Sequence, residues 1–327
     1  MRLPRMLALG ASMLALLSAC STGGGGSSAP ASVAPPSAPA TSAAASTSAA
    51  PPPQIRIGSD GFYEAKLMAE IYAQALEAKG YTVDRTAIGI GARKVSAPAL
   101  ESGKFDLKPE YIGSGLAFYA AGKQTGDPKN NQTELQNVLK PKGITVLDFS
   151  PAADQNAFVV RPDTAQQFSL TKLSDVAAVQ DKLKLGVATD CPTNPVCAKA
   201  LKDAYGIDVS KAKLLSACDT PMVQALKGKT IDVGELCSTQ PDIAVNGWVL
   251  LQDDKQTQPA ENIAPLVRDD YLAKLSDADG FKKILNDVSA AMDTATLTDL
   301  GKQVSVDNKD IAEVAKAWLQ SKGLVSS

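Results

Sequence analysis

The side chains with chemistry to offer gather in a few short stretches. From Asp106, DLKPEYIGSGLAFYAAG sets Tyr111 behind a Pro-Glu pair and ahead of two closely spaced glycines, an aromatic and acidic loop able to hold a ligand. Asp190, closing LKLGVATD, and Glu235, within IDVGELC, could face one another as paired carboxyls for acid–base work. Against an enzyme stands the absence of any histidine. That removes the commonest general base, the commonest metal ligand and every His-dependent triad. No nucleophile–base pair stands out either, so no catalytic residue, metal or cofactor is assigned, and an extracytoplasmic enzyme is the weaker alternative.

Cysteine usage points to an oxidising compartment. MRLPRMLALGASMLALLSAC has Arg2 and Arg5, an apolar run and then small residues ending at Cys20, the pattern of a secretory leader over residues 1–19. Leu17-Ser18-Ala19-Cys20 looks like a bacterial lipobox, which implies cleavage before Cys20 and a lipid anchor on its thiol. Residues 20–53 are rich in Gly, Ser, Ala and Pro, with only Val33 as a larger apolar side chain, and read as a tether. Four cysteines remain, an even number in an exported chain. Three pairings are possible; we favour Cys191–Cys197 around CPTNPVC and Cys218–Cys237 between neighbouring segment ends. A zinc site is the rival reading, weakened by the lack of histidine and of a CxxC pair.

The elements that must position these side chains alternate. IRIG (55–58) reads as a strand; Leu67, Met68, Ile71, Tyr72, Ala75 and Leu76 recur at helical spacing behind it; YTVDRTAIGIG is a second strand. A helix from Arg93 to Glu101 and a strand in FDLKPEY follow, then the theme repeats in LKLGVATD, a helix over Val196–Tyr205, KAKLLSAC, a helix in PMVQALKGK, and IDVGELC. Helices fill the chain from about Asp277 to IAEVAKAWLQSKG. Such alternation indicates doubly wound α/β sheets. ALESGKFDL (99–107) and ALKGKTIDV (225–233) echo one another, and Tyr111 and Cys237 each lie five residues past the shared aspartate. We therefore expect two α/β lobes of similar build around a cleft. Ligands on open α/β sheets bind at the carboxyl ends of strands. That rule places Ser59 to Phe62, Tyr111 to Ser114, Thr189-Asp190 and Cys237-Ser238-Thr239 in it. Trp248 and Trp318 read as packing residues, and Arg93 as a solvated first-turn residue. A net charge of −2 offers no electrostatic footprint for nucleic acid.

Taken together, IGSDGFYEAKLMAEIYAQALEAKGYTV, FDLKPEYIGSGL, CPTNPVC with LKDAYGID, and DVGELCSTQPDIAVNGWVLLQDDKQTQPAENIAPLVR resemble the substrate-binding lipoproteins of osmoprotectant ABC importers, the glycine betaine/carnitine/choline-binding family. The likeness runs in order over nearly the whole chain from Ile55. It implies a type II periplasmic-binding-protein-like fold with two crossovers, near residues 150–160 and 259–267. Lobe one would hold 54–155 and 260–327, and lobe two 156–259. It also implies a monomer on the outer face of the bacterial cytoplasmic membrane, handing a small osmoprotectant to an ABC permease and its ATPase.

In that family aromatic rings cage a quaternary ammonium, which cannot donate hydrogen bonds and is stabilised by ring faces. The resemblance assigns Tyr111 to the cage, Ser114 to a hydroxyl on the same loop, Phe62 to a wall and Asn156 to an amide contact. Ser59, Thr189, Asp190 and Ser238 complete the expected site. The chain departs from the family where second-lobe aromatics are usual, with Val196 and Cys237 at those places. A polyol or other non-quaternary solute, or a binding module without transport, are the remaining alternatives.

Overall fold

The computed structural model describes residues 52–326. The leader over 1–19, Cys20 and the tether as far as residue 51 lie outside the described residues. Among the described residues ten strands are formed: β1 Ile55–Asp60, β2 Val83–Gly91, β3 Leu107–Tyr111, β4 Ile144–Val146, β5 Asn156–Val160, β6 Leu185–Ala188, β7 Lys213–Leu215, β8 Val233–Cys237, β9 Val249–Leu250 and β10 Ile263–Arg268. They build two five-stranded sheets, ordered β2-β1-β3-β10-β4 and β7-β6-β8-β5-β9. Each sheet is parallel on one side and takes in one antiparallel strand, β10 against β3 and β5 against β8.

Both faces of each sheet are covered. On one face of the first, the helix Tyr63–Glu77 packs with the C-terminal helices Ala278–Ala290, Thr294–Ser305 and Ile311–Ser321 around Leu67, Ile71, Leu285 and Trp318. The other face carries Leu100, Phe105, Ile112 and Leu135 from the helices Arg93–Glu101, Ile112–Tyr119 and Pro128–Leu139 and the turn before β3. Phe158, Val176 and Leu201 fill one face of the second sheet, and Met222, Leu226, Leu236 and Trp248 the other. Both tryptophans therefore sit in cores.

The chain echo has a structural counterpart. Asp106 accepts the Arg56 backbone N–H at 3.0 Å, tying the start of β3 to the start of β1. Asp232 accepts the Lys184 backbone N–H at 3.0 Å and ties β8 to β6 in the same way. At the far end Tyr111 lies opposite Ile263 and Cys237 opposite Asn156, so each third strand hands its last residue to the antiparallel strand. β3 pairs with β1 only at Ile57–Leu107, because Pro109 has no N–H to continue that ladder. The expected helix over 196–205 is formed as two π-helical turns, Pro195–Lys199 and Leu201–Tyr205. The short strands β4 and β9 carry no signal that the sequence reading picked up.

The chain passes between the sheets before β5 and before β10. These crossings run side by side, with Ala153 bridged to Asn262, the Asp154 N–H donating to the Glu261 carbonyl (3.1 Å) and the Gln155 amide to the Pro259 carbonyl (2.9 Å). β3 runs directly into the helix Ile112–Tyr119, whose first turn lies against the second crossing. A Cβ on Gly113 would sit 2.6 Å from the Ala260 carbonyl oxygen and 2.8 Å from Pro259. Gly113→Ala is accordingly expected to cost about 1–3 kcal/mol by overpacking. Gly126→Ala, with open space around it, should stay within about 0.5 kcal/mol of the parent in the same denaturant titration.

Candidate functional site

A cleft of about 350 Å³ opens where the parallel strands of both sheets end. Asp60 to Phe62 enter it from the end of β1 onward, Ala92 and Arg93 after β2, and Tyr111 and Ser114 from the end of β3 onward. Thr189, Asp190 and Asn194 follow β6, Ser216 to Asp219 follow β7, and Glu235 and Cys237 belong to β8. Asp154 and Asn156 come from the first crossing and the start of β5. The arrangement obeys the rule for open α/β sheets on both sides at once.

The aromatic part is a pair. Phe62 and Tyr111 stand 5.6 Å apart between ring centroids at an interplanar angle of 39°. Tyr111 is held by its hydroxyl, which donates to Glu64 Oε1 at 2.6 Å. The other oxygen of Glu64 accepts the Thr239 hydroxyl, also at 2.6 Å. The Thr239 N–H donates to Asp154 Oδ1 at 2.9 Å and the Ser238 hydroxyl to the same oxygen at 3.1 Å. Burial, with the charge of Asp154 added, pushes the Glu64 carboxyl well above the usual range. Burial likewise lifts Asp154 to about 6, and its buried Oδ2 has no partner among the described residues.

The wall from the first sheet is charge-compensated. Buried Lys108 reaches Glu110 Oε2 at 2.7 Å and Asp60 Oδ1 at 3.1 Å. Arg93 donates to Glu110 Oε1 through Nε (3.1 Å) and Nη2 (2.9 Å). Burial alone would raise the Glu110 carboxyl, but Arg93 and Lys108 outweigh it and hold it at about 2. Mutual pairing explains how LKPEY can be buried throughout despite two charges. Beneath Ser114 lies Glu261, which accepts the Ser114 N–H at 3.0 Å and its hydroxyl; burial lifts this carboxyl to about 7. Opposite, Glu235 Oε2 accepts the Ala188 N–H at 2.7 Å, and burial, helped by Asp190, lifts Glu235 to about 7.

Of the expected site residues, Phe62, Tyr111, Ser114, Asn156, Thr189 and Asp190 line the cleft together. Ser59 and Ser238 do not. Ser59 is fully buried, its hydroxyl donating to the Asp60 carbonyl and accepting the Gly89 N–H, both at 2.9 Å, which ties β1 to β2. Ser238 serves the crossing, taking the Gln155 N–H at 3.0 Å as well as binding Asp154. Arg93 corrects its reading as a solvated residue: it lines the cleft with a side chain only 14% exposed. Sequence reasoning missed Glu64, Asp154 and Glu261, each of which carries its partners far along the chain. Cys191–Cys197 and Cys218–Cys237 are both bonded. The first lies against Glu235 and the second forms part of the cleft wall. No aromatic side chain lines the wall from the second sheet among the described residues.

The buried acids set a pH dependence. Asp154, Glu235 and Glu261 hold their protons more tightly folded than unfolded, with values of about 6, 7 and 7 against ordinary values of 3.8, 4.5 and 4.5. Their stabilising contribution is complete below the ordinary values and is lost as pH rises through 6 to 7. Glu110 acts oppositely: its contribution is present above 4.5 and is lost as pH falls through about 2. The Tm of the ligand-free protein is expected to fall between about pH 5 and about pH 8, and Glu261→Gln to flatten that slope.

Comparison with known proteins extends the likeness. The family model for the substrate-binding domain of ABC-type glycine betaine transport systems matches residues 53–321. The glycine betaine-binding protein YehZ of Escherichia coli K12 is 28% identical over 282 residues, 82% of this chain and 90% of that one. The carnitine transport binding protein OpuCC of Listeria monocytogenes is 24% identical over 269 residues, 81% of this chain and 86% of its own. A crystal structure of a glycine betaine/carnitine/choline ABC transporter shares the fold at a TM-score of 0.64 and 21% identity, covering 83% of this chain and 99% of that one. The two mixed sheets match type II periplasmic binding proteins.

Proposed function

The chain belongs to the family of substrate-binding domains of ABC-type glycine betaine transport systems, and from that premise we propose that it captures a quaternary ammonium osmoprotectant between its lobes and delivers it to an ABC permease. Members of this family are transport binding proteins rather than enzymes, working outside the cytoplasm for an ABC importer. The observation that carries the choice of ligand is the Phe62–Tyr111 pair in an acid-rich cleft. A trimethylammonium group donates no hydrogen bond, so ring faces and nearby carboxylates are what can stabilise it. The Glu64 bond positions the Tyr111 ring. The two adjacent crossings are the natural hinge for closing the lobes over a solute.

A second reading, a hydroxyl-rich neutral solute, is favoured by the second wall, where Thr189, Asn194 and Ser216 offer polar groups and no aromatic side chain lines the cleft on that side among the described residues. Calorimetric titration of the purified protein with glycine betaine, choline, carnitine and a set of polyols separates the two. A methylated ammonium is expected to bind, with Tyr111→Ala weakening it by about tenfold or more and Tyr111→Phe retaining most of the affinity. Binding of polyols alone would establish the second reading.

The leader and Leu17-Ser18-Ala19-Cys20 support a lipid anchor on Cys20 that keeps the protein at the outer face of the cytoplasmic membrane. Cys20→Ser is expected to move it from the membrane fraction to the soluble one. Retention in the membrane fraction would count against the anchor.

A further inference from the structure

We propose that the second wall of the cleft, built on Glu235, Asp190 and Asp219, selects the end of the ligand that points away from the rings. It accepts a hydroxyl or similar hydrogen-bond donor and rejects a carboxylate, so the protein prefers a cationic amino alcohol to a zwitterionic betaine. This rests on the reading of the cleft as a quaternary ammonium site and narrows it.

The two walls differ in how their charges are balanced. On the first, Asp60 and Glu110 are matched by Lys108 and Arg93. Arg93 is the one cationic side chain lining the cleft among the described residues, and Nε and Nη2 of its guanidinium are already directed at Glu110. On the second wall none of Glu235, Asp190 and Asp219 forms an ion pair among the described residues. Asp219 spends one oxygen on the Thr220 N–H, at 2.7 Å.

Glu235 is the centre of that wall. It is only 1% exposed, yet it lines the cleft. Its contacts with the Ala188 N–H and with Cys197 Sγ, at 2.7 and 3.4 Å, both use Oε2. Oε1 has no partner among the described residues. The groups around it are Asp190 beyond β6, the Cys191–Cys197 disulfide, Phe158 opposite it on β5, Asp219 beyond β7, and Asp154 and Arg93 elsewhere around the cleft. An acceptor left unmatched once a ligand covers it weakens binding of any ligand that brings no donor, and a ligand carboxylate there meets like charge as well. A ligand hydroxyl satisfies Oε1 directly. Burial lifts Glu235 to about 7, so its repulsion of a carboxylate fades as it takes up its proton.

The test is calorimetry on the full chain with choline and glycine betaine, near pH 8 and near pH 6. Choline is expected to bind about tenfold or more tightly than glycine betaine at the higher pH, with the gap narrowing at the lower. Glu235→Gln, which keeps the shape and a hydrogen-bonding group but removes the charge, should shrink the ratio by about threefold or more and flatten its pH dependence. Asp190→Asn provides the same readout of the ratio should Glu235→Gln fail to fold. Glycine betaine binding as tightly as choline to the parent protein, or a ratio unmoved by both substitutions, would overturn this inference and leave the quaternary ammonium reading standing. Binding of neither compound, nor of carnitine in the same titration, would remove both.

Discussion

The setting of the two lobes depends on Thr239. Its hydroxyl donates to Glu64, on the first helix of one lobe, and its backbone N–H to Asp154 on a crossing. One residue from the second lobe thus satisfies two acids that would otherwise face each other across a buried seam. Glu64 in turn fixes Tyr111 through the phenol hydroxyl, so the orientation of the ring in the cleft follows from the same contact that relates the lobes. Two acids buried this closely cannot both remain ionised cheaply: burial moves both upward, and the charge of Asp154 raises Glu64 further. The interaction ties lobe position, ring position and protonation together.

The cleft has two unlike halves. The first offers ring faces above a closed network of Lys108, Arg93, Glu110 and Asp60, in which opposite charges cancel. The second offers sulfur, hydroxyls and uncancelled carboxyls. A family whose ligands carry a methylated ammonium can be served by the first half alone, provided the second does not oppose the ligand's other end. The family's fold is kept, while no aromatic side chain lines the second wall among the described residues.

Much of the architecture could be read in the chain itself. Strands ending at small or acidic residues, helices at regular spacing and the echo of Asp106 in Asp232 are local signals, and the structure gives that echo the same job in both lobes. Tyr111 and Phe62 were visible because aromatic residues are scarce and these two follow strand ends. Glu64 was not: an acid in the first turn of a helix is explained well enough by the helix dipole. Its bond to Thr239 spans 175 positions, beyond the reach of any local pattern. Arg93 was misread for the same reason, since Glu110, 17 positions on, supplies the reason for burying it. Ser59 was placed correctly at a strand end, but its hydroxyl turns into the sheet.

The strand order also fixes an order of assembly. All five strands of the second sheet lie in one unbroken stretch from Asn156 to Leu250. The first sheet needs β10, Ile263–Arg268, inserted between β3 and β4. A chain emerging amino end first therefore completes its middle lobe while the earlier lobe still has an open seam beside β3. That seam, lined by Leu107 to Tyr111, stays unpaired until nearly the whole protein has been delivered. The lobe that is read first is the one that closes last, and its unpaired edge is the place where an exported chain of this design is most in need of protection from its neighbours.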